Sequence, residues 1–179
     1  MKPFFAFLLA GLALLAPAGH SQLAAGDYHA DVSRSTVRFK AVVNQAFIRE
    51  VKGTLRRFSF AGRIDPSAPE TSRARVVIQM DSVTSDTFGV SDSLLRDKLK
   101  TAQYPTSTID VTAVRRGPAA DQYDVDVAVK AQDRDLAGSV RVKTVRFPDH
   151  LRLLGTYVMP KDAQGRWGEI EFSLRLEAL

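Results

Sequence analysis

Residues 47–64 read "FIREVKGTLRRFSFAGRI", and the fold turns on how this run is parsed. Val51, Gly53 and Leu55 share one phase of a period-two alternation, while Phe58, Phe60, Gly62 and Ile64 share the other. The phase slips by one residue at Arg56-Arg57, which is what a β-bulge does to a strand that must bend. A long, bulged, glycine-bearing strand suits a closed barrel better than a sandwich, because a strand must coil for a sheet to close.

Alternation of the same kind recurs on both sides of this run. Tyr28, Ala30 and Val32 form one apolar face, Val37, Phe39 and Ala41 a second, and Val76, Ile78 and Met80 a third. Ile109, Val111 and Ala113 follow, then the regular stretch "QYDVDVAVK" (122–130), in which Tyr123, Val125, Val127 and Val129 oppose Asp124, Asp126, Ala128 and Lys130. Leu136 to Val142, Leu151 to Tyr157 and Ile170 to Leu176 repeat the pattern. Loops are marked by "RIDPSAPETS" (63–72), "RRGPAAD" (115–121), "AQDRD" (131–135) and "PKDAQGRWG" (160–168). One helix is predicted, from Ser91 as N-cap to Lys100, with Leu94, Leu95 and Leu99 on one side and Tyr104-Pro105 ending it. The connections are too short for parallel crossovers, so the expected fold is all-β. It is an extended antiparallel β-barrel of about eight or nine strands with one short helix in a connection.

The chain opens "MKPFFAFLLAGLALLAPAGHSQ": one lysine, an apolar run from Phe4 to Ala16, then small residues. That run is shorter than the ~20 residues that span a bilayer, and it predicts a signal peptide over residues 1–18, with cleavage after Ala18 or after Ala25. Residues 19–179 are then one exported domain, without stable membrane insertion. Cysteine is absent, which excludes disulfides, thiolate metal sites and cysteine nucleophiles together. Lys and Arg total 25 against 20 Asp and Glu, a mild and scattered excess that gives no nucleic-acid footprint.

Little in the sequence is equipped for chemistry. None of the three histidines shares a ligand spacing with another, so neither His29 nor His150 predicts a metal site. Asp124 and Asp126 sit on one strand face, but it is the wet face. No serine occupies a nucleophile elbow, and no phosphate-binding glycine pattern occurs. The expectation is a binding module with no cofactor and no catalytic residues.

The order of these features resembles the YceI-like, or lipid/polyisoprenoid-binding, family. "YHADVSRSTVRF" (28–39) is similar to that family's opening pattern through Tyr28, Asp31, Ser35, Val37 and Phe39. "VKGTLRRFSFAGRIDP" (51–66) resembles its long glycine-bearing strand through Gly53, Gly62, Ile64, Asp65 and Pro66. "VVIQMDSVTSDT" (76–87), with Ser82, and "LLRDKLKTAQYPTSTID" (94–110) continue the likeness. The family's later G-x-L-x-I-x-G motif is reduced here to "DVDVAVKAQDRD" (124–135). The resemblance implies a lipocalin-like barrel, exported to the periplasm, holding a long isoprenoid or other amphiphile in its lumen as carrier or scavenger. A packed envelope barrel acting as a stress-related interaction module is the alternative.

Under the first reading, the apolar lumen should draw on Phe39, Phe58, Phe60, Ile78, Met80, Val125, Val127, Leu153, Tyr157, Phe172 and Leu174. Arg49, Lys52 and Arg57 are the candidates to meet a headgroup at the mouth. Phe47 and Phe88 could guard an entrance, Trp167 could close a barrel end, and exposed edges could support a homodimer.

Overall fold

The structure is a computed structural model describing residues 25–45, 48–159 and 168–179, with side chains of 43–49 outside the description. The segment expected to be a signal peptide, Phe47 and Trp167 therefore lie outside the described residues. Eleven strand segments and one helix are described: β1 (Gly26–Ala30), β2 (Thr36–Gln45), β3 (Ile48–Leu55), β4 (Phe58–Ile64), β5 (Arg73–Gln79), β6 (Val83–Ser85), α1 (Asp92–Lys98), β7 (Thr106–Arg116), β8 (Gln122–Ala131), β9 (Arg134–Arg146), β10 (Leu151–Met159) and β11 (Gly168–Ala178).

The ring runs β1-β4-β5-β7-β8-β9-β10-β11 and is closed by pairing β11 back onto β1, giving an antiparallel barrel of eight strands. The other three segments are continuations rather than new ring members. β2 prolongs β1 along the same edge of β11, with Phe39 opposite Ile170; β3 pairs with β2, and β6 with β3. Each of the first three barrel strands is thus one long strand bent in the middle.

The bends have identifiable fastenings. Between β1 and β2, a turn of 3-10 helix over Val32–Arg34 replaces the extended backbone expected at Val32. The Asp31 side chain accepts from Ser33 N at 3.0 Å, and Ser35 Oγ accepts from Arg175 N at 2.9 Å, so the turn is stitched to β11. At the slip between β3 and β4, the Arg57 amide donates to Ser82 Oγ at 2.9 Å, and that hydroxyl donates to Gln79 O at 2.6 Å. Asp31, Ser35 and Ser82 therefore supply the hydrogen bonds that bent backbone would otherwise lack.

Ser91 caps α1 as expected, its Oγ accepting from Leu94 N at 3.2 Å. The helix is shorter than the sequence pattern suggested, ending at Lys98, and Lys100 takes a left-handed φ of 52°. Only Leu95 is buried; Leu94 points outward, because residues at i and i+1 lie about 100° apart around a helix axis. No helix among the described residues is long and apolar enough to cross a membrane.

Side chains divide by phase. Tyr123, Val125, Val127 and Val129 of β8 are buried together with Val140, Val142 and Tyr157, forming one wall of the interior. A second cluster, including Tyr28, Val37, Leu55, Phe58, Val83, Leu95, Leu174 and Leu176, forms the opposite wall. On the outside of β5, β7, β8 and β9, Arg75 pairs with Asp110, Arg115 with Asp126, and Arg141 with Asp124. Asp124 and Asp126 thus serve an exposed ionic ladder, as their phase implied.

Arg115 and Ser139 hydrogen-bond the Asp126 carboxylate and hold its pKa down to about 2. A group depressed below its ordinary value contributes stability that is complete above the ordinary carboxylate range and is lost as pH falls through the folded value. Asp126→Asn is accordingly expected to flatten the fall in stability between about pH 4 and about pH 2, as read by denaturant titrations across that range. An unchanged slope would mean that the carboxylate titrates alike in folded and unfolded chains.

Candidate functional site

Between the two apolar walls runs a cavity. It offers about 180 Å³ to the centre of a water molecule, and about 1300 Å³ of atom-free space when solvent at its open end is included. Its lining is almost wholly hydrocarbon. β7, β8 and β9 contribute valines and Ile109, β4 and β5 contribute Phe60, Ile64, Val76 and Ile78, and β10 and β11 contribute Leu153, Tyr157, Phe172 and Leu174.

Polar groups gather at one end, where the β4–β5 loop (Asp65, Pro66, Pro69, Ser72) and the first residue of β5 (Arg73) meet the end of β9 (Thr144, Arg146) and the start of β10 (Leu151). At the opposite end Leu55, Phe58, Val83 and Leu95 pack together and line no part of the cavity. This distinction separates the residues expected in the lumen. Phe60, Ile78, Val125, Val127, Leu153, Tyr157, Phe172 and Leu174 line the cavity. Phe39, Phe58 and Met80 do not: they pack in or against the cluster around Leu55, Val83 and Leu95 that plugs the far end. Alternation tells which side of a strand is dry, but not whether the dry side meets space or another side chain.

Two of the three expected headgroup residues, Lys52 and Arg57, do not line the cavity. Lys52 lies on the outward phase of β3, its Nζ 3.0 Å from Glu50 Oε1, and Arg57 pairs with Asp81 at the bulge; neither lines the cavity. Arg49 carries no described side chain. Phe88 is fully exposed on the loop between β6 and α1, outside the cavity lining. Sequence reasoning missed Tyr123, Val140, Val142, Leu151 and Ile170, although each shares the inward phase of its strand. It also missed Thr144 and Arg146, which continue the phase of Val140 and Val142 to the rim.

Two glycines keep the middle of the cavity open. A Cβ on Gly138 would fall 2.5 Å from Tyr157 Cε2, and one on Gly155 would fall 2.5 Å from Phe172 Cζ. Only a bare backbone lets both rings settle against the wall instead of projecting into the lumen. Tyr157 pays for that position: its Oη is buried and has no hydrogen-bond partner among the described residues. Burial pushes the phenol's pKa up, so the group stays neutral. Tyr157→Phe is expected to raise stability by about 1 kcal/mol, because it removes an unsatisfied buried hydroxyl while keeping the ring. A drop in melting temperature would reveal a partner for that hydroxyl in the purified protein.

Among the described residues no group of three or more His, Asp or Glu could hold a metal ion. His150 is buried, with Nδ1 2.7 Å from Asp149 Oδ1 and its ring stacked on Phe147 at 4.3 Å. That arrangement fastens the turn before β10.

Several solved structures share this architecture. BcnA from Burkholderia cenocepacia matches at a TM-score of 0.66 with 18% identity, over 83% of this chain and 99% of its own. A polyisoprenoid binding domain from Saccharophagus degradans, implicated in plant cell wall breakdown, matches at 0.61 with 16% identity, over 85% and 98%. The Campylobacter jejuni YCEI protein matches at 0.59 with 13% identity, over 74% and 89%. No curated protein sequence is matched. The YceI-like domain model fits residues 28–165, most of the strands of the barrel included, and the chain therefore belongs to the YceI-like family.

Proposed function

We propose that this barrel binds one long apolar chain, an isoprenoid or comparable amphiphilic lipid, inside its lumen and serves as a carrier or scavenger in the periplasm after export. The observation that carries the reading is the cavity itself: open at one end, walled by hydrocarbon, and held open by Gly138 and Gly155. Burying each CH₂ of a ligand contributes about 0.8 kcal/mol, so a prenyl chain gains affinity here without specific polar contacts. A tunnel of that kind selects by width and length, and the rim selects by headgroup. The likeness to a polyisoprenoid binding domain supports the ligand class, and the apolar run near residue 1 followed by Ala16-Pro17-Ala18 supports export.

Binding, not catalysis, is the role these walls suit. Apart from the two tyrosines, the ionisable residues of the lining sit at the rim. Native mass spectrometry of the protein purified from its own envelope, followed by organic extraction, tests the proposal. The expected result is a stoichiometric added mass that extraction identifies as a polyprenyl or other long-chain lipid. A clean protein mass that stays unchanged after incubation with an isoprenoid mixture would overturn it in favour of an interaction barrel with an empty lumen.

A further inference from the structure

Leaving aside Arg134 at the start of β9, the arginines of β5, β7 and β9 fall into two groups. Those along the outer wall are paired with carboxylates: Arg75 with Asp110, Arg115 with Asp126, Arg141 with Asp124. Those at the open end are not. Arg73 Nη1 donates to Glu70 O at 3.0 Å and to Ser72 O at 2.7 Å, and Arg116 Nη2 donates to Ser67 O at 3.0 Å. Backbone carbonyls of the β4–β5 loop thus fix two guanidinium groups without neutralising them. Arg146 ends the inward phase of β9 after Val140, Val142 and Thr144, opposite Leu151, and it lines the cavity. Among the described residues, none of the three has a carboxylate partner. Asp65, the one carboxylate of the lining, turns into its own loop, accepting from Ser67 N at 2.9 Å, Ser67 Oγ at 2.6 Å and Ala68 N at 3.1 Å.

We infer that Arg73, Arg116 and Arg146 form a cationic collar that reads an anionic head, phosphate or carboxylate, on a ligand whose tail lies inside the lumen. This rests on the lumen reading above and adds a direction: tail towards the plugged end, head at the β4–β5 loop. Unpaired guanidinium groups beside a hydrocarbon cavity are suited to that geometry, since a charge-assisted pair at a partly dry rim is stronger than one in open water.

The test compares two pairs of probes that differ only in the head: geranylgeranyl phosphate against geranylgeraniol, and oleate against oleyl alcohol. Each is titrated into the delipidated protein at about 0.05 M and about 0.5 M salt, concentrations that bracket strong and weak screening. The anionic member of at least one pair should bind about tenfold tighter at low salt, the worth of one charge-assisted hydrogen bond. The pair that shows the gap tells phosphate from carboxylate. Arg146→Gln should shrink the gap and the Arg73→Gln, Arg146→Gln double variant should close it, with the alcohols unaffected. Arg134→Gln, at the start of the same strand, should leave the gap intact, and melting curves confirm folding of each variant. Equal binding of acid and alcohol by the parent protein, or equal weakening of both by Arg146→Gln, would overturn the collar and leave the lumen reading standing. Failure of all four probes to bind would overturn both.

Discussion

Leu176→Ala is expected to lower stability by about 2–5 kcal/mol, the range for removing a fully buried leucine. Leu176 has no exposed surface and stands opposite Leu151 of β10 on one side and Ala30 of β1 on the other. It therefore fills the seam where the barrel closes. β1 is only five residues long and closes onto β11 through three registered pairs, so little else holds this edge. The melting temperature should fall by about 10 °C, given roughly 2–4 °C per kcal/mol for a chain of this size. Leu179→Ala, three residues further on and largely exposed, is the matched control and should leave it unchanged. A loss below about 1 kcal/mol at Leu176 would mean that the seam relaxes to fill the gap, contrary to the packing described.

Val127→Trp is expected to abolish lipid uptake while the barrel still folds. Val127 belongs to the valine wall, lies opposite Gly138, and points into the cavity. An indole there occupies space that a ligand would use. Excluding a single five-carbon unit of a prenyl chain forfeits about 4 kcal/mol, close to a thousandfold in affinity. Overpacking ordinarily costs about 1–3 kcal/mol, but here the new ring enters space free of protein atoms. The native chain has one tryptophan, so the added indole also reports on the lumen by its own fluorescence. Organic extraction of the folded variant should yield no stoichiometric lipid. A full lipid load would place the ligand somewhere other than the lumen.

The parts of this fold that sequence exposes best are those set by period two alone. The valine faces of β8 and β9, the phase slip at Arg56-Arg57 and the Ser91 cap all stand in the structure where the alternation and the cap residue put them. Less legible were features that depend on how strands meet. Val32 reads as strand, yet it forms a tight turn because Asp31 and Ser35 bond locally and to β11. The short β6 is hidden inside a polar stretch, since its three residues are extended by pairing with β3 rather than by their own pattern. Phe58 and Phe60 share a phase, but only Phe60 reaches the cavity; depth along a barrel axis leaves no periodic trace. The same blindness put Lys52 and Arg57 at the mouth, because which end of the barrel is plugged is decided by where Leu55, Val83 and Leu95 converge. Arg146 was within reach of the sequence: continuing the β9 phase past Val142 leads to it directly.

The closing seam has a consequence in time. Tyr28 pairs with Ala178, and Ala30 with Leu176, so the first described strand cannot find its second neighbour until nearly the whole chain is available. Contacts so distant in sequence demand that loop-closure entropy be lost before they return any energy, and chains built this way fold slowly. Local hairpins such as β7–β8 and β8–β9 can form early, while β1 and β11 remain raw edges able to recruit a strand from another molecule. The hazardous interval for this protein is the wait for its last strand, and any folding assistance it receives has most to gain by shielding those two edges.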